Sequence, residues 1–230
     1  MNQKPMTILR GLSAALIVLT VSIARAEIDE DNRLWLNLNA QGKLPVDALN
    51  WYVEVQPRWR ESGRDFDQFL FRPAVFYKIS DRGSLWLGYA NAQTRTPRAG
   101  TTEEHRIWQQ FSYNFKLGSA TLQSRTRLEQ RALDSGNDIG HRLRQMFKVT
   151  VPLAEPSKFS LVGSNEIFIH LNDTDWGARS GFDQNRLFLG LGYSMSPILR
   201  AEVGYLNQHV NTATIDRRNH VLSTTFSFSF

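Results

Sequence analysis

The side chains with chemistry to offer are charged, and they share one parity. Glu54, Arg72, Arg106, Glu129, Arg144 and Glu166 fall on the same face of successive strand-like segments, together with Arg58, Arg125, Arg127 and Arg186. Counting outward from the turn ESGRD sets Glu54 opposite Arg72; from KLGS, Arg106 opposite Glu129; from AEPS, Arg144 opposite Glu166. Opposite charges facing across neighbouring strands support the pairing by about 0.2–1 kcal/mol. In a narrow, poorly solvated interior each also neutralises a charge that would be costly alone. One reading of these six residues is therefore a salt-bridge ladder that fills and stiffens a small barrel. Arg58, Arg60, Arg125, Arg127, Arg131, Arg142 and Arg186 are then left on that face with few acids to match. A surplus of arginine makes an interior electropositive and offers forked donors to carboxylate or phosphate. The second reading is thus a path or site for small anions, with Arg125, Arg127, Arg186 and Arg58 as ligand candidates.

Catalytic constellations are thin. His105, His141, His170, His209 and His220 fall at the ends of segments where a barrel enzyme would carry its groups, and Asp173 and Asp175 follow His170 closely. A hydrolase needs His, an activating carboxylate and either a Ser nucleophile or a bound water. No G-x-S-x-G or H-E-x-x-H motif occurs, and His105 and His220 have the parity of the opposite face. A rim hydrolase is the least favoured of three function classes, so no catalytic residue is assigned and no cofactor or metal is expected. The aspartates of NDTDWGARSGFDQ do not match a D-x-D-x-D-G calcium loop. A solvated loop anchored by Trp176 accounts for that segment better.

The elements that must hold these residues are long strands. From Trp51 onward apolar and polar residues alternate with period two, in segments 51–60, 66–79, 85–94, 105–115, 120–131, 142–153, 158–170, 184–194, 199–208 and 219–230. Period two over such lengths argues half-buried strands, and ten or more residues suits tilted membrane strands better than soluble sheets. Connections SDRG, KLGS, AEPS and MSPI are tight, whereas 95–104, 132–141, 171–183 and 209–218 are long. That asymmetry is expected of outer-membrane barrels. The expected fold is all-β: an antiparallel transmembrane β-barrel of ten strands, with twelve as the alternative. Segment 33–40 would make an eleventh strand and break the even count, so it is expected either to pair at the seam, to lie along the wall or to hide a missed partner.

Composition narrows the class further. Lys4 and Arg10, the run GLSAALIVLTVSIA and the small residues Ala24 and Ala26 form the three parts of a secretory signal, predicting a signal peptide over 1–26 cleaved near Ala26 and a barrel over 27–230. The apolar run is too short to span a bilayer as a helix. Removing residues 1–26 lowers the formal charge from +5 to +2, which leaves no case for nucleic acid. Absence of cysteine rules out a disulfide framework. Aromatics gather towards the ends of the face away from the charges. Trp51, Tyr77, Tyr113, Phe115, Phe159, Tyr193 and Phe228 lie near the tight turns, and Trp59, Phe69, Tyr89 and Tyr205 nearer the long loops. Two such girdles around an aliphatic band describe a lipid-facing wall. A soluble lipocalin-like barrel would need that wall to fit inside, where ten strands enclose too little volume. On the same outward parity Gln109, Ser124, Thr126, Gln145 and Asn165 form a polar patch. Hairpin counting places Gln109 opposite Thr126 and Gln145 opposite Asn165, and the patch is expected to meet a second copy or another protein unless a bulge turns it inward.

The last residues, TTFSFSF, put Phe226, Phe228 and Phe230 on one face, resembling the signal by which outer-membrane barrels are handed to their assembly machinery. The segments EEHRIWQQ, RTRLEQR, RLRQMFKVTVPL, NDTDWGARSGFDQNRLFLGLGY and GYLNQ resemble the outer-membrane family labelled domain of unknown function 2490, from about Trp35 to Phe230. The resemblance implies a barrel in the outer membrane and supplies no activity or ligand residues. Expected partners are outer-membrane lipid, lipopolysaccharide, the assembly machinery and, through the polar patch, another copy. The expected function is a narrow channel or binding barrel for small anions. The alternative is a structural barrel with a closed, salt-bridged interior.

Overall fold

A computed structural model describes residues 28–97, 100–154 and 156–230. The expected signal segment and its cleavage site lie outside the described residues. Eleven strands follow one another: β1 Ile28–Lys43, β2 Leu49–Arg60, β3 Asp65–Lys78, β4 Gly83–Thr96, β5 Gly100–Leu117 and β6 Ala120–Leu133, then β7 Ile139–Pro152, β8 Phe159–His170, β9 Gly181–Ser194, β10 Leu199–Val210 and β11 Asp216–Ser229. Each pairs antiparallel with the next, and β1 closes the barrel against β11. The expected count of ten is therefore corrected to eleven.

Residues 33–40 belong to a full strand that is paired on both sides. In an up-and-down barrel an odd count forces the first and last strands to run the same way. Accordingly β1 and β11 pair in parallel from Ile28 beside Asp216 to Gln41 beside Ser229. The start of β1 thus lies at the end of the barrel that carries the 171–180 loop, while Phe230 lies at the opposite end, its N–H donating to the carbonyl of Gln41 at 2.9 Å. Loop asymmetry is weaker than the sequence predicts. Strand pairing runs on to Thr96, Gly100, Leu133 and Asp216, so only 171–180 remains long.

Alternation sorts the two faces as expected. Leu85, Leu87, Ile107, Phe147, Leu187 and Leu189 point outward and are each at least 51% exposed, whereas Glu54, Arg72, Glu129, Arg144 and Glu166 point inward and are at most 8% exposed. An exposed apolar belt around a closed sheet with a charged interior inverts the arrangement of a soluble barrel. Aromatic pairs mark its borders. Trp51 stacks near Phe230 (6.2 Å) and Phe159 near Tyr193 (4.6 Å) at the tight-turn end. At the loop end the Tyr89 and Tyr205 hydroxyls meet Nδ1 of His105 and His220 at 2.5 and 2.6 Å. These two histidines belong to the outer girdle.

The outward polar patch stays outward, in a register different from the one hairpin counting gives. Gln109 faces Leu128, Thr126 faces Phe111 and Gln145, and Asn165 faces Phe147. Its side chains are hydrogen-bonded within the sheet. Gln109 and Gln130 exchange hydrogen bonds (3.1 and 3.3 Å), Asn165 and Asn185 do the same (3.2 and 3.3 Å), and the Thr126 hydroxyl donates to Gln145 at 2.5 Å. Pairing removes much of the penalty that unpartnered polar groups would suffer in hydrocarbon.

Candidate functional site

Inside the barrel Glu129, Glu166 and Glu104 each collect two or more arginines. Glu129, 1% exposed, accepts hydrogen bonds from Arg142 at 2.6 and 3.0 Å and from Arg144 at 2.6 Å, with Arg127 a further 3.7 Å away. Arg144 donates in turn to Glu166 at 2.8 and 3.0 Å, and Arg125 reaches the same carboxylate at 2.7 Å. Arg142 continues to Asp183 at 3.0 Å, beside which His170 Nε2 stands at 3.4 Å. Arg125, Glu166, Arg144, Glu129, Arg142 and Asp183 thus form one chain of ion pairs across four consecutive strands, β6 to β9. Nearby, Glu104 accepts from Arg106 (2.7 and 2.8 Å) and from Arg131 (2.5 Å).

Two of the three expected facing pairs are corrected by these contacts. Glu54 does face Arg72 in the ladder, with an ion pair of 3.1 Å. Arg106, however, faces Arg131, and Glu129 faces Trp108. The hairpin turns on two residues, with Leu117 paired to Ala120 and Gly118 at φ +58°, and this moves the register by two from a count about KLGS. Across the 153–158 connection Arg144 faces Phe168 and Glu166 faces Met146. Arg144 and Glu166 still meet because diagonal neighbours two residues out of register lie within reach of long side chains.

The expected surplus of unpaired arginine also shrinks. Arg60 pairs with Asp65 (2.5 Å), Arg125 with Glu166, Arg131 with Glu104 and Arg142 with Glu129. Arg127 donates twice to Gln110 (2.6 and 2.8 Å) and lies 4.0 Å over the Trp108 ring. Arg58 donates to Gln56 and Gln68 at 2.7 and 2.8 Å. Of the four ligand candidates, only Arg58 and Arg186 have no carboxylate partner among the described residues.

Packing around this network divides the lumen. A cavity of about 810 Å³ opens at the loop end and is lined by twelve arginines but only three carboxylates, Asp67, Glu104 and Asp183. A second cavity of about 330 Å³ lies at the tight-turn end, lined by Asn50, Phe76, Trp86, Ser112 and neighbours. The two share no lining residue among those described. Between them stand Trp108, Arg127, Glu129 and Val162, none more than 5% exposed. Trp108 uses the space left by Gly88 on the next strand, where a Cβ would come within 2.2 Å of its ring. Eleven strands are too few for an open aqueous bore once large side chains point inward.

A loop partly roofs the upper cavity. Residues 171–180 bend towards the 134–138 connection, where the Trp176 indole donates to the Asp138 carbonyl at 2.8 Å and the Asp175 carboxylate accepts the backbone N–H groups of Asn137 (2.8 Å) and Asp138 (3.2 Å). Those donors, Asn137 first, hold the Asp175 carboxyl below its ordinary range. Trp176 packs where a Cβ on Gly140 would come within 2.5 Å of it, and Arg131 lies 5.1 Å from its ring. The expected anchor therefore holds the roof. Trp176→Ala should free the loop, so trypsin should cleave after the exposed Arg179 at least several-fold faster than in the parent while the barrel band on a gel is retained. Equal cleavage rates would show that the roof is held by other contacts.

Sequence reading missed Trp35, Trp108 and Phe168, 1–2% exposed inside the barrel. Each interrupts a run of polar residues on the charged parity, as in Arg106-Ile-Trp108-Gln-Gln110, and an aromatic on the polar face was the available signal. The arginines explain their presence: Arg58 lies over Trp35 (3.9 Å), and Arg142, Arg144 and Arg186 lie within 5.3 Å of Phe168. Cation–π contact of this kind contributes about 0.5–2 kcal/mol. Among the described residues no group of His, Asp or Glu is arranged to hold a metal ion.

A closed meander with an apolar outer belt, aromatic borders and a charged interior defines an outer-membrane-type β-barrel. The chain matches the family described as "Protein of unknown function (DUF2490)" over residues 32–219 and belongs to it. An uncharacterized protein of Methylorubrum extorquens is 37% identical over 217 residues, 92% of this chain and 93% of that one. Among solved structures, a loop L8 deletion mutant of OmpT, an outer membrane protein of Vibrio cholerae, is similar at a TM-score of 0.42 with 14% identity. That match covers 73% of this chain and 59% of the solved one, so the chain spans about three fifths of that protein's length.

Proposed function

We propose that this protein is exported, folds in the outer membrane and binds small anionic solutes in the cavity at its loop end without offering an open path through. The observation that carries this reading is the division of the lumen into two cavities by the ion-pair floor, the upper one lined by twelve arginines, of which Arg58, Arg95, Arg179, Arg186 and Arg217 have no carboxylate partner among the described residues. Arginine-lined concave sites favour anions by charge and by forked hydrogen bonding. A closed floor supports binding, or a purely structural role, over conduction, and the arginine excess favours binding of the two. Phe226, Phe228 and Phe230, at the end of the strand that closes the barrel, are the proposed recognition point for the assembly machinery, with lipid and lipopolysaccharide against the outer belt.

Purified protein reconstituted in planar bilayers is expected to give no stepwise conductance, and to release or retain bound anions from one side only. Steady anion-selective steps from the unaltered protein would replace the binding barrel by a channel. Recovery of the mature chain as a soluble periplasmic monomer would remove the membrane reading altogether.

A further inference from the structure

Three hydrogen-bond donors grouped about the Trp35 ring, on residues that line the upper cavity, have no acceptor among the described residues. Trp35 and Arg58 face each other across β1 and β2, and Arg186 reaches the same indole from β9, three strands away around the barrel. The guanidinium carbons of Arg58 and Arg186 lie 3.9 and 5.0 Å from the Trp35 ring centroid. Trp35 Nε1, Arg58 Nε and Arg186 Nε are all buried, and none meets a hydrogen-bond acceptor of the protein. Trp35 is 2% exposed and Arg58 7%. Arg58 already spends its two terminal nitrogens on Gln56 and Gln68. Arg186, by contrast, makes no ion pair or side-chain hydrogen bond with any described residue and offers its guanidinium whole.

Two like charges over one ring repel, and Glu166, which faces Arg186 across β8 and β9, makes its ion pairs with Arg125 and Arg144 instead. Three donors left without acceptors in a poorly solvated space each carry an uncompensated desolvation cost. Every other buried arginine of this network stands in ion-pair range of a carboxylate of the protein, Arg127 through Glu129 at 3.7 Å. An anionic ligand would relieve both costs at once.

We infer that Arg186, Arg58 and Trp35 form an oxyanion-binding site for a phosphate group, borne by a small phosphomonoester or by inorganic phosphate. Donors carried by three strands, β1, β2 and β9, suit a phosphate group, which has more oxygens to share among them than a carboxylate. Arg186 supplies the forked contact, Arg58 a second charge and one N–H, and Trp35 a neutral N–H that adds direction. The inference rests on the cavity being a binding site and specifies what it binds.

The test is calorimetric titration of the full mature barrel in detergent with inorganic phosphate, with a soluble phosphomonoester and with succinate in parallel. Lipopolysaccharide micelles form a further arm, because their phosphates offer the same chemistry from the membrane. The parent should bind one phosphate group per barrel, more tightly than succinate and more weakly as salt rises. Arg186→Gln should weaken binding at least tenfold, and Trp35→Phe, which keeps the ring and removes only the N–H, several-fold. Arg82→Ala, at the opposite end, should change nothing. Arg186→Gln relieves repulsion, so its fold should survive; Trp35→Phe tests the same site if it does not. Binding that is undiminished in both variants would overturn this site while leaving the cavity a binding site. Tighter binding of succinate than phosphate would overturn the phosphate assignment. Failure of the parent to bind any of these anions would overturn the binding reading itself, and binding of lipopolysaccharide alone would remove the soluble ligand.

Discussion

Glu129→Ala should lower the temperature at which the folded barrel converts to the slow, unfolded gel band by on the order of 10 °C. Removing one partner of a buried ion pair costs about 3–5 kcal/mol, and for a chain of this size each kcal/mol shifts the midpoint by about 2–4 °C. Glu129 is the severe case because a single carboxylate at 1% exposure receives Arg142 and Arg144 directly and stands 3.7 Å from Arg127. Its loss leaves three cations in the floor between the two cavities with only Glu166 and Asp183 to share between them. Glu129→Gln should do nearly as much damage, since shape survives but charge does not. Asp47→Ala, in an exposed turn, serves as the control. A Glu129→Ala midpoint within about 2 °C of the parent would mean that the network contributes little to the fold.

The period-two pattern made the wall legible. From Trp51 to Phe230 every candidate strand has a counterpart, and the inward and outward parities of Glu54, Arg127, Glu166, Leu187 and Phe228 follow from position alone. Closure was legible only as one of three readings of segment 33–40, pairing at the seam, which is what β1 does. β1 and β11 are joined by no hairpin, so nothing local in either segment signals that Trp35 lies beside Ser223. The parallel seam emerges only from the requirement that eleven strands leave no open edge.

Register was lost for a similar reason. A tight turn read as four residues and one built on Gly118 and Ser119 differ by two positions, enough to exchange Glu129 for Arg131 opposite Arg106. Ion pairs such as Arg125 with Glu166 and Arg142 with Asp183, each 41 residues apart, cross strands that hairpin counting treats separately. Hence Arg125 and Arg142 looked unpaired. Arg58 and Arg186 looked the same from sequence, and among the described residues they remain without a carboxylate partner in three dimensions.

Trp108→Ala combined with Arg127→Ala should turn the closed barrel into a conducting one. These two side chains occupy the floor together, the guanidinium carbon 4.0 Å from the ring centroid, at 1% and 5% exposure. Neither belongs to the ion pairs of Glu129 with Arg142 and Arg144, so the carboxylate keeps both strong partners when they are removed. Gly88 and Gln110, left facing the gap, do not fill it. A polar space of that size would admit water, joining the two cavities into a path lined by arginine above and by Asn50, Ser112 and Lys43 below. Planar-bilayer recordings should show current steps with anion preference in the double variant and none in the parent, the preference fading as the screening length falls to about 3 Å at 1 M salt. Arg127→Ala alone should conduct weakly or not at all, because the Trp108 ring still crosses the lumen. If the double variant folds and stays silent, the barrel is closed by the carboxylate–arginine network itself, and Trp108 and Arg127 only pack against a floor that stands without them.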